Sequence, residues 1–228
     1  EFGKDRRDKA LALLQAAQGF NGQASKVSPE ELDDYIKHGD LELFRGETSI
    51  VLANEFMHGD LHAGTGGYGN GTYLAFGEGA VQQAVSYATA SGAVMRMALR
   101  SDANTITMDK LVDLQDEAKA GLRERAKNAT DQNDIERILG TLELISDRGR
   151  FAAAAGYDAI LPDWVKSKND LRTTGYLVVL NRTALRIQEK KPLSAKGFVQ
   201  KDILDDLPDD FDVAEFLDSL FSAADWDA

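Results

Sequence analysis

The stretch "HAGTGGYGNGTYLAF", His62 to Phe76, sets five glycines and two tyrosines between an amphipathic segment and an apolar run. Its core, Gly64-Thr65-Gly66-Gly67-Tyr68-Gly69, spells G-x-G-x-x-G, the dinucleotide fingerprint when it follows a strand and opens a helix. Here the order is reversed. Upstream, "SIVLANEFMHGD" carries Ile50, Leu52, Ala53, Phe56 and Met57 at helical spacing, and downstream "TYLAF" alternates as a strand does. A Rossmann unit is therefore excluded, and with no Gly-Lys-Ser/Thr a P-loop is excluded too. Two readings of the glycines stay open. Bare backbone can turn its N–H groups on an anion such as a pyrophosphate, with Tyr68 and Tyr73 offering flat faces to a planar ring. Equally, the segment can be a glycine-rich hairpin whose tyrosines pack.

Working outward, "LELFRGE" (41–47) reads as a strand with Leu41, Leu43 and Arg45 on one face and Glu42, Phe44 and Gly46 on the other. An arginine in line with two core leucines is unusual enough to mark as a functional candidate, the other reading being an ion pair at the strand end with Glu47 or Glu78. Before it, Ser28-Pro29-Glu30-Glu31 is a capping box with Pro at the first helical position, so a helix should run to about His38. "DRRDKALALLQAAQ" predicts an earlier helix, broken by "NGQASK". After the glycine stretch, 78–90 reads as a helix and "AVMRMALR" as a strand. Met108 to about Ala155 reads as helical with an interruption near "NATDQND", and "YDAILP" and "GYLVVLNRTALRIQ" have strand length. The pattern is α+β without regular alternation.

From Lys201 on the composition turns acidic, yet Val213, Phe216, Leu217, Leu220 and Phe221 fall at helical spacing. A short amphipathic helix over 212–221 is expected, either folded back on its own domain or docking a partner. The expected organisation is an N-terminal helical segment (1–27), a central domain (28–195) and an acidic tail (196–228).

The chain has 228 residues, a net charge of −12 and no cysteine. That charge argues against broad attachment to nucleic acid or anionic lipid, and the missing thiols exclude disulfides, thiolate catalysis and Cys-ligated metal. No apolar run approaches the roughly 18 residues of a membrane span, and no signal-peptide pattern opens the chain. "EF" at the start reads as a cloning remnant on a piece of a longer protein. His58 and His62 straddle Gly59 outside any H-E-x-x-H frame, so no metal is expected, and no G-x-S-x-G marks a hydrolase nucleophile.

Taken together, "LFRGE", a helix, "GYGNGTYLAF" and a helix ending in "AVSYA" resemble the NAD-binding half of the ADP-ribosyltransferase superfamily. Arg45-Gly46 matches that family's strand-end Arg-Gly, and Gly71-Thr72-Tyr73-Leu74-Ala75 matches its "GxYxA". The later "DRGRFAAAAGYDAI" with "YLVVLNRTALRI" is similar to such domains at the end of some phage minor head proteins and in bacterial toxin modules. The resemblance covers roughly residues 28–190. It implies a split β-sandwich with N-terminal and inserted helices, and an NAD-dependent mono-ADP-ribosyltransferase of toxin, effector or phage-borne type, delivered into a target cell or cytoplasmic.

By the same resemblance, Arg45 would contact the phosphate or ribose side of NAD, the backbone of Gly46 would pair with the nicotinamide amide, and Tyr73 would stack on the ring. Gly67, Tyr68, Gly69, Asn70, Gly71 and Thr72 would shape the loop around it. The family's third landmark, a late-strand glutamate, falls at "LRTTGYLVV", where Gly175 stands in its place, and no glutamate occurs between Glu143 and Glu189. Asp158, Asp163 and Asp170 are the available carboxylates, with Asp170 the candidate, while Thr173 or Thr174 offers ribose a hydrogen bond. The acceptor expected is a macromolecule, protein more than nucleic acid. The alternatives are a structural or docking module that keeps the fold without the chemistry, and an NAD hydrolase.

Overall fold

The computed structural model describes residues 22–58, 64–88, 92–189 and 193–194. The expected helix in "DRRDKALALLQAAQ", His62 and the acidic helix over 212–221 lie outside the described residues. In chain order the elements are β1 (Ser25–Val27), α1 (Pro29–Lys37), β2 (Leu41–Glu47), α2 (Ile50–His58), β3 (Gly64–Gly66), β4 (Gly69–Phe76), α3 (Ala80–Tyr87) and β5 (Ala93–Leu99). There follow β6 (Thr105–Thr107), α4 (Met108–Asn128), α5 (Gln132–Leu144), α6 (Arg148–Ala154), β7 (Ala159–Leu161), β8 (Gly175–Val179), β9 (Leu185–Gln188) and β10 (Leu193–Ser194).

This is an α+β chain on an open mixed sheet, in the order β1-β9-β5-β2-β4-β8-β7-β6, with β10 set against β5 and β3 against β4. β1 with β9 and β6 with β7 run parallel, and the other neighbours are antiparallel. The centre of the sheet positions the site. β2 pairs with β5 along its whole length, from Leu41 with Leu99 to Glu47 with Ala93, but with β4 only at Phe44 and Ala75. One leaf (β1-β9-β5-β2) and another (β4-β8-β7-β6) thus meet at one residue pair, and the strands part on either side of it.

Alternation along the strands assigns each face. Leu43, Met95, Met97, Leu74, Phe76, Leu177 and Val179 bury themselves on one side, where Ala53 and Phe56 of α2 cover them. On the other side Val178, Ile160 and Leu180 pack with Leu111 of α4 and Ala152 and Ala153 of α6, and Leu32 of α1 packs on Ala98 and Val27. Burial of this apolar surface on both faces is the main stabilising term.

The capping box forms as its spacing demands: Ser28 Oγ accepts from Glu31 N at 3.2 Å, and Glu31 returns to Ser28 N at 2.8 Å. Elsewhere the chain departs from its own periodicity. The single interruption expected in 108–155 is two, because Asp147 caps a third helix by accepting from Arg150 N at 2.9 Å. "GYLVVLNRTALRIQ" is two strands, since Asn181 accepts from Thr183 N at 3.0 Å and turns Arg182–Ala184 into a single 3₁₀ turn.

Candidate functional site

Arg45 stands where the two leaves separate. Its Nε donates to Glu47 Oε1 at 2.5 Å, its Nη1 donates to the Tyr73 carbonyl at 3.1 Å, and its guanidinium lies over the Phe56 ring at 4.9 Å from the centroid. With β2 and β4 no longer paired, the Tyr73 carbonyl would lack a strand partner, and the arginine side chain takes that role. A guanidinium has five N–H donors, of which the described residues engage two. Three remain, on a side chain 15% exposed.

Carrying the Phe44–Ala75 register onward sets Gly46 across from Tyr73 and Glu47 across from Thr72. Facing residues share a side of the sheet, so Arg45, Glu47 and Thr72 belong to the α2 side, whereas Gly46 and Tyr73 belong to the other. The guanidinium and the phenol ring therefore leave the sheet in opposite directions, linked through the Tyr73 carbonyl. Gly46 is bare for a local reason: the backbone of α3 crosses it so closely that a Cβ would run into the Ala84 carbonyl oxygen.

The glycine stretch is a hairpin. Gly64–Gly66 pairs with Gly69–Gly71 around the two-residue turn Gly67-Tyr68. Tyr73 folds back over it, donating from Oη to the Gly69 carbonyl at 2.8 Å and accepting from Tyr68 N at 3.1 Å. Burial pushes the Tyr73 phenol above its ordinary pKa and Asp147 adds to the rise, while the Tyr68 N–H works against it. Burial also raises Tyr68, with the charge of Asp163 adding to it.

The far side of the hairpin docks on the start of α6. Asp147 Oδ1 accepts from Asn70 N at 3.0 Å, Arg148 Nη1 donates to the Gly67 carbonyl at 3.1 Å, and a Cβ on Gly149 would collide with the Asn70 carbonyl. Gly69 sits at φ +92°, and a Cβ there would meet the Gly149 amide. Bare backbone here serves the approach of another piece of backbone, and Asp147, Arg148 and Gly149 are the residues that motif reading did not assign to the loop. Their only advance sign is "DRGRF", an Asx cap with a glycine inside its first turn.

Of the late carboxylates, Asp170 is a turn anchor: Oδ2 accepts from Lys166 N at 2.8 Å, Ser167 N at 2.7 Å and Ser167 Oγ at 3.1 Å. The two backbone N–H groups hold its carboxyl below the usual aspartate range. Asp158 accepts from Asn104 N and Asn181 Nδ2, both at 2.8 Å, and fastens β6 to the end of β8. Thr174 Oγ1 accepts from Gly79 N at 2.7 Å, at the start of α3. Gly175 lies against Trp164.

Two further groups flank the parting. On the Gly46 side, Tyr87 at the end of α3 meets Tyr176 edge-on with centroids 5.9 Å apart, and the residue is 59% exposed. On the Arg45 side, the buried Arg182 guanidinium lies 4.5 Å from the Phe56 centroid, and its Nη2 donates to the Phe56 carbonyl. Among the described residues no group of three or more His, Asp or Glu is placed to hold a metal ion, and no helix is long and apolar enough to cross a membrane. No family model, curated protein or solved structure matches the chain.

Proposed function

We propose that the parting between β2 and β4 binds NAD and that the chain is a mono-ADP-ribosyltransferase passing ADP-ribose to a macromolecular acceptor. The observation that carries the reading is the 3.1 Å bond from Arg45 Nη1 to the Tyr73 carbonyl, which brings Arg-Gly and GxYxA together at the opened edge. Three guanidinium N–H groups remain for the phosphate or ribose side of the dinucleotide, and a planar fork suits oxyanions. On the opposite side, Gly46 lies under α3, and the exposed Tyr87 ring offers a flat apolar face for nicotinamide.

The reaction breaks the nicotinamide–ribose C–N bond, and the bonding electrons leave with neutral nicotinamide. The acceptor nucleophile then bonds to the anomeric carbon and gives up its proton. Positive charge develops on the ribose as it does in glycoside hydrolysis, so rate comes from holding the dinucleotide and stabilising that charge.

In the test, NAD raises the melting temperature of the wild type and not of Arg45→Ala, and wild type releases nicotinamide and labels a protein acceptor. An unshifted wild type at millimolar NAD removes the reading. One observation favours a second reading, a docking module without chemistry: Gly66, Gly69, Gly71 and the Tyr73 hydroxyl are engaged by the protein itself. That module binds its partner with no label transferred, whereas nicotinamide release without a labelled product marks a hydrolase.

A further inference from the structure

Charge development on the ribose calls for a carboxylate close by, because hydrogen bonds to a sugar hydroxyl strengthen as the oxocarbenium forms. Asp170 Oδ2 is held by the backbone and hydroxyl donors of its own turn after β7, and Asp158 uses both oxygens to fasten the β6 junction. At the parting itself stands Glu47. Its side chain is 10% exposed, Oε1 holds Arg45 Nε, and its second oxygen has no partner among the described residues.

Across from it the continued register sets Thr72, on the same side of the sheet. Thr72 is 1% exposed, and its Oγ1 is buried without a hydrogen-bond partner. An unmet buried hydroxyl is costly, so it is a group that a ligand can satisfy. Within a few positions on two strands lie a fork of N–H donors, a carboxylate oxygen and a hydroxyl. That set complements a sugar bearing hydroxyl and phosphate groups.

We propose that Glu47 is the carboxylate of this site, accepting a hydrogen bond from a ribose hydroxyl of the bound dinucleotide while its other oxygen keeps Arg45 in place. Thr72 completes the same hydroxyl subsite. The assignment rests on the NAD reading above. Glu47 takes no proton in the step: nicotinamide leaves neutral, and the acceptor's proton goes to solvent.

The experiment measures nicotinamide release and NAD-induced melting shifts for wild type, Glu47→Gln and Thr72→Val. The Gln amide oxygen still accepts from Arg45 Nε, so NAD binding should hold within about threefold while kcat falls about 100-fold. Thr72→Val removes an unsatisfied buried group, so it should melt above the wild type yet turn over about tenfold more slowly, a combination that a purely structural threonine does not give. It also keeps the test decisive if Glu47→Gln does not fold. A wild type that cleaves NAD while both variants keep pace overturns the role of Glu47 and Thr72 alone. A wild type that neither binds nor cleaves NAD overturns the reading beneath it, and the role of Glu47 with it.

Discussion

The two sides of the parting differ in how much hydrogen-bonding capacity they have left. On the β2 side, among the described residues, Arg45 keeps three of its five donors and Glu47 keeps an oxygen. On the β4 side the Tyr73 hydroxyl both donates and accepts within its own hairpin, and Gly66, Gly69 and Gly71 lie against Tyr73, the start of α6 and Val178 respectively. The two motifs thus contribute one open region and one closed one. A glycine cluster alone does not distinguish a ligand cradle from a close backbone contact, whereas the tally of unspent donors and acceptors does.

The largest expected effect tests the open side. Arg45→Ala should weaken NAD cleavage by about 100 to 1,000-fold, the usual cost of one well-placed electrostatic contact. It also leaves Glu47 buried without its cation, which should destabilise the fold by about 1–3 kcal/mol. Steady-state release of nicotinamide reads the first and urea unfolding the second. A stability loss without a functional one would make the Arg45–Glu47 pair purely structural.

Next comes the closed side. Gly69→Ala forces a side chain onto a left-handed backbone and into the Gly149 amide, so it should cost roughly 3 kcal/mol in urea unfolding. A loss below about 1 kcal/mol would mean that the hairpin leaves α6 easily and that the closed side opens. Asp147→Ala is a milder probe of the same dock. It removes the α6 cap and the acceptor of Asn70 N, and should cost about 1–2 kcal/mol. NAD-induced melting shifts should be unchanged in Asp147→Ala, because the open side does not touch that contact.

Legibility in the sequence follows the range of the interactions. The alternation of β2 and the Ser28 cap were readable because each is settled within a few residues. β1 and β6, three residues each, were not, since only pairing with β9 and β7 makes those residues extended. The reason for the glycines was out of reach, because Asp147 acts on Asn70 from 77 residues away. The family resemblance paired Arg45 with Tyr73 across 28 residues. It pointed to the late strand for a carboxylate, where Gly175 lies against Trp164.

The smallest effect separates the ring of Tyr73 from its hydroxyl. Tyr73→Phe keeps the ring and loses the bonds to the Gly69 carbonyl and Tyr68 N, so it should cost about 1 kcal/mol. NAD-induced melting shifts should not move. The phenol also carries a pH signature. Burial raises its folded pKa above the free value of about 10, so the folded chain holds that proton more tightly than the unfolded one. Stability from this group is complete below about pH 10 and is lost as pH climbs through the raised value. Urea midpoints followed from about pH 8 to 11 should therefore fall less steeply in Tyr73→Phe than in wild type. Equal slopes would show that the phenol is solvated and the hairpin already open, which would turn the closed side of the parting into a second open one.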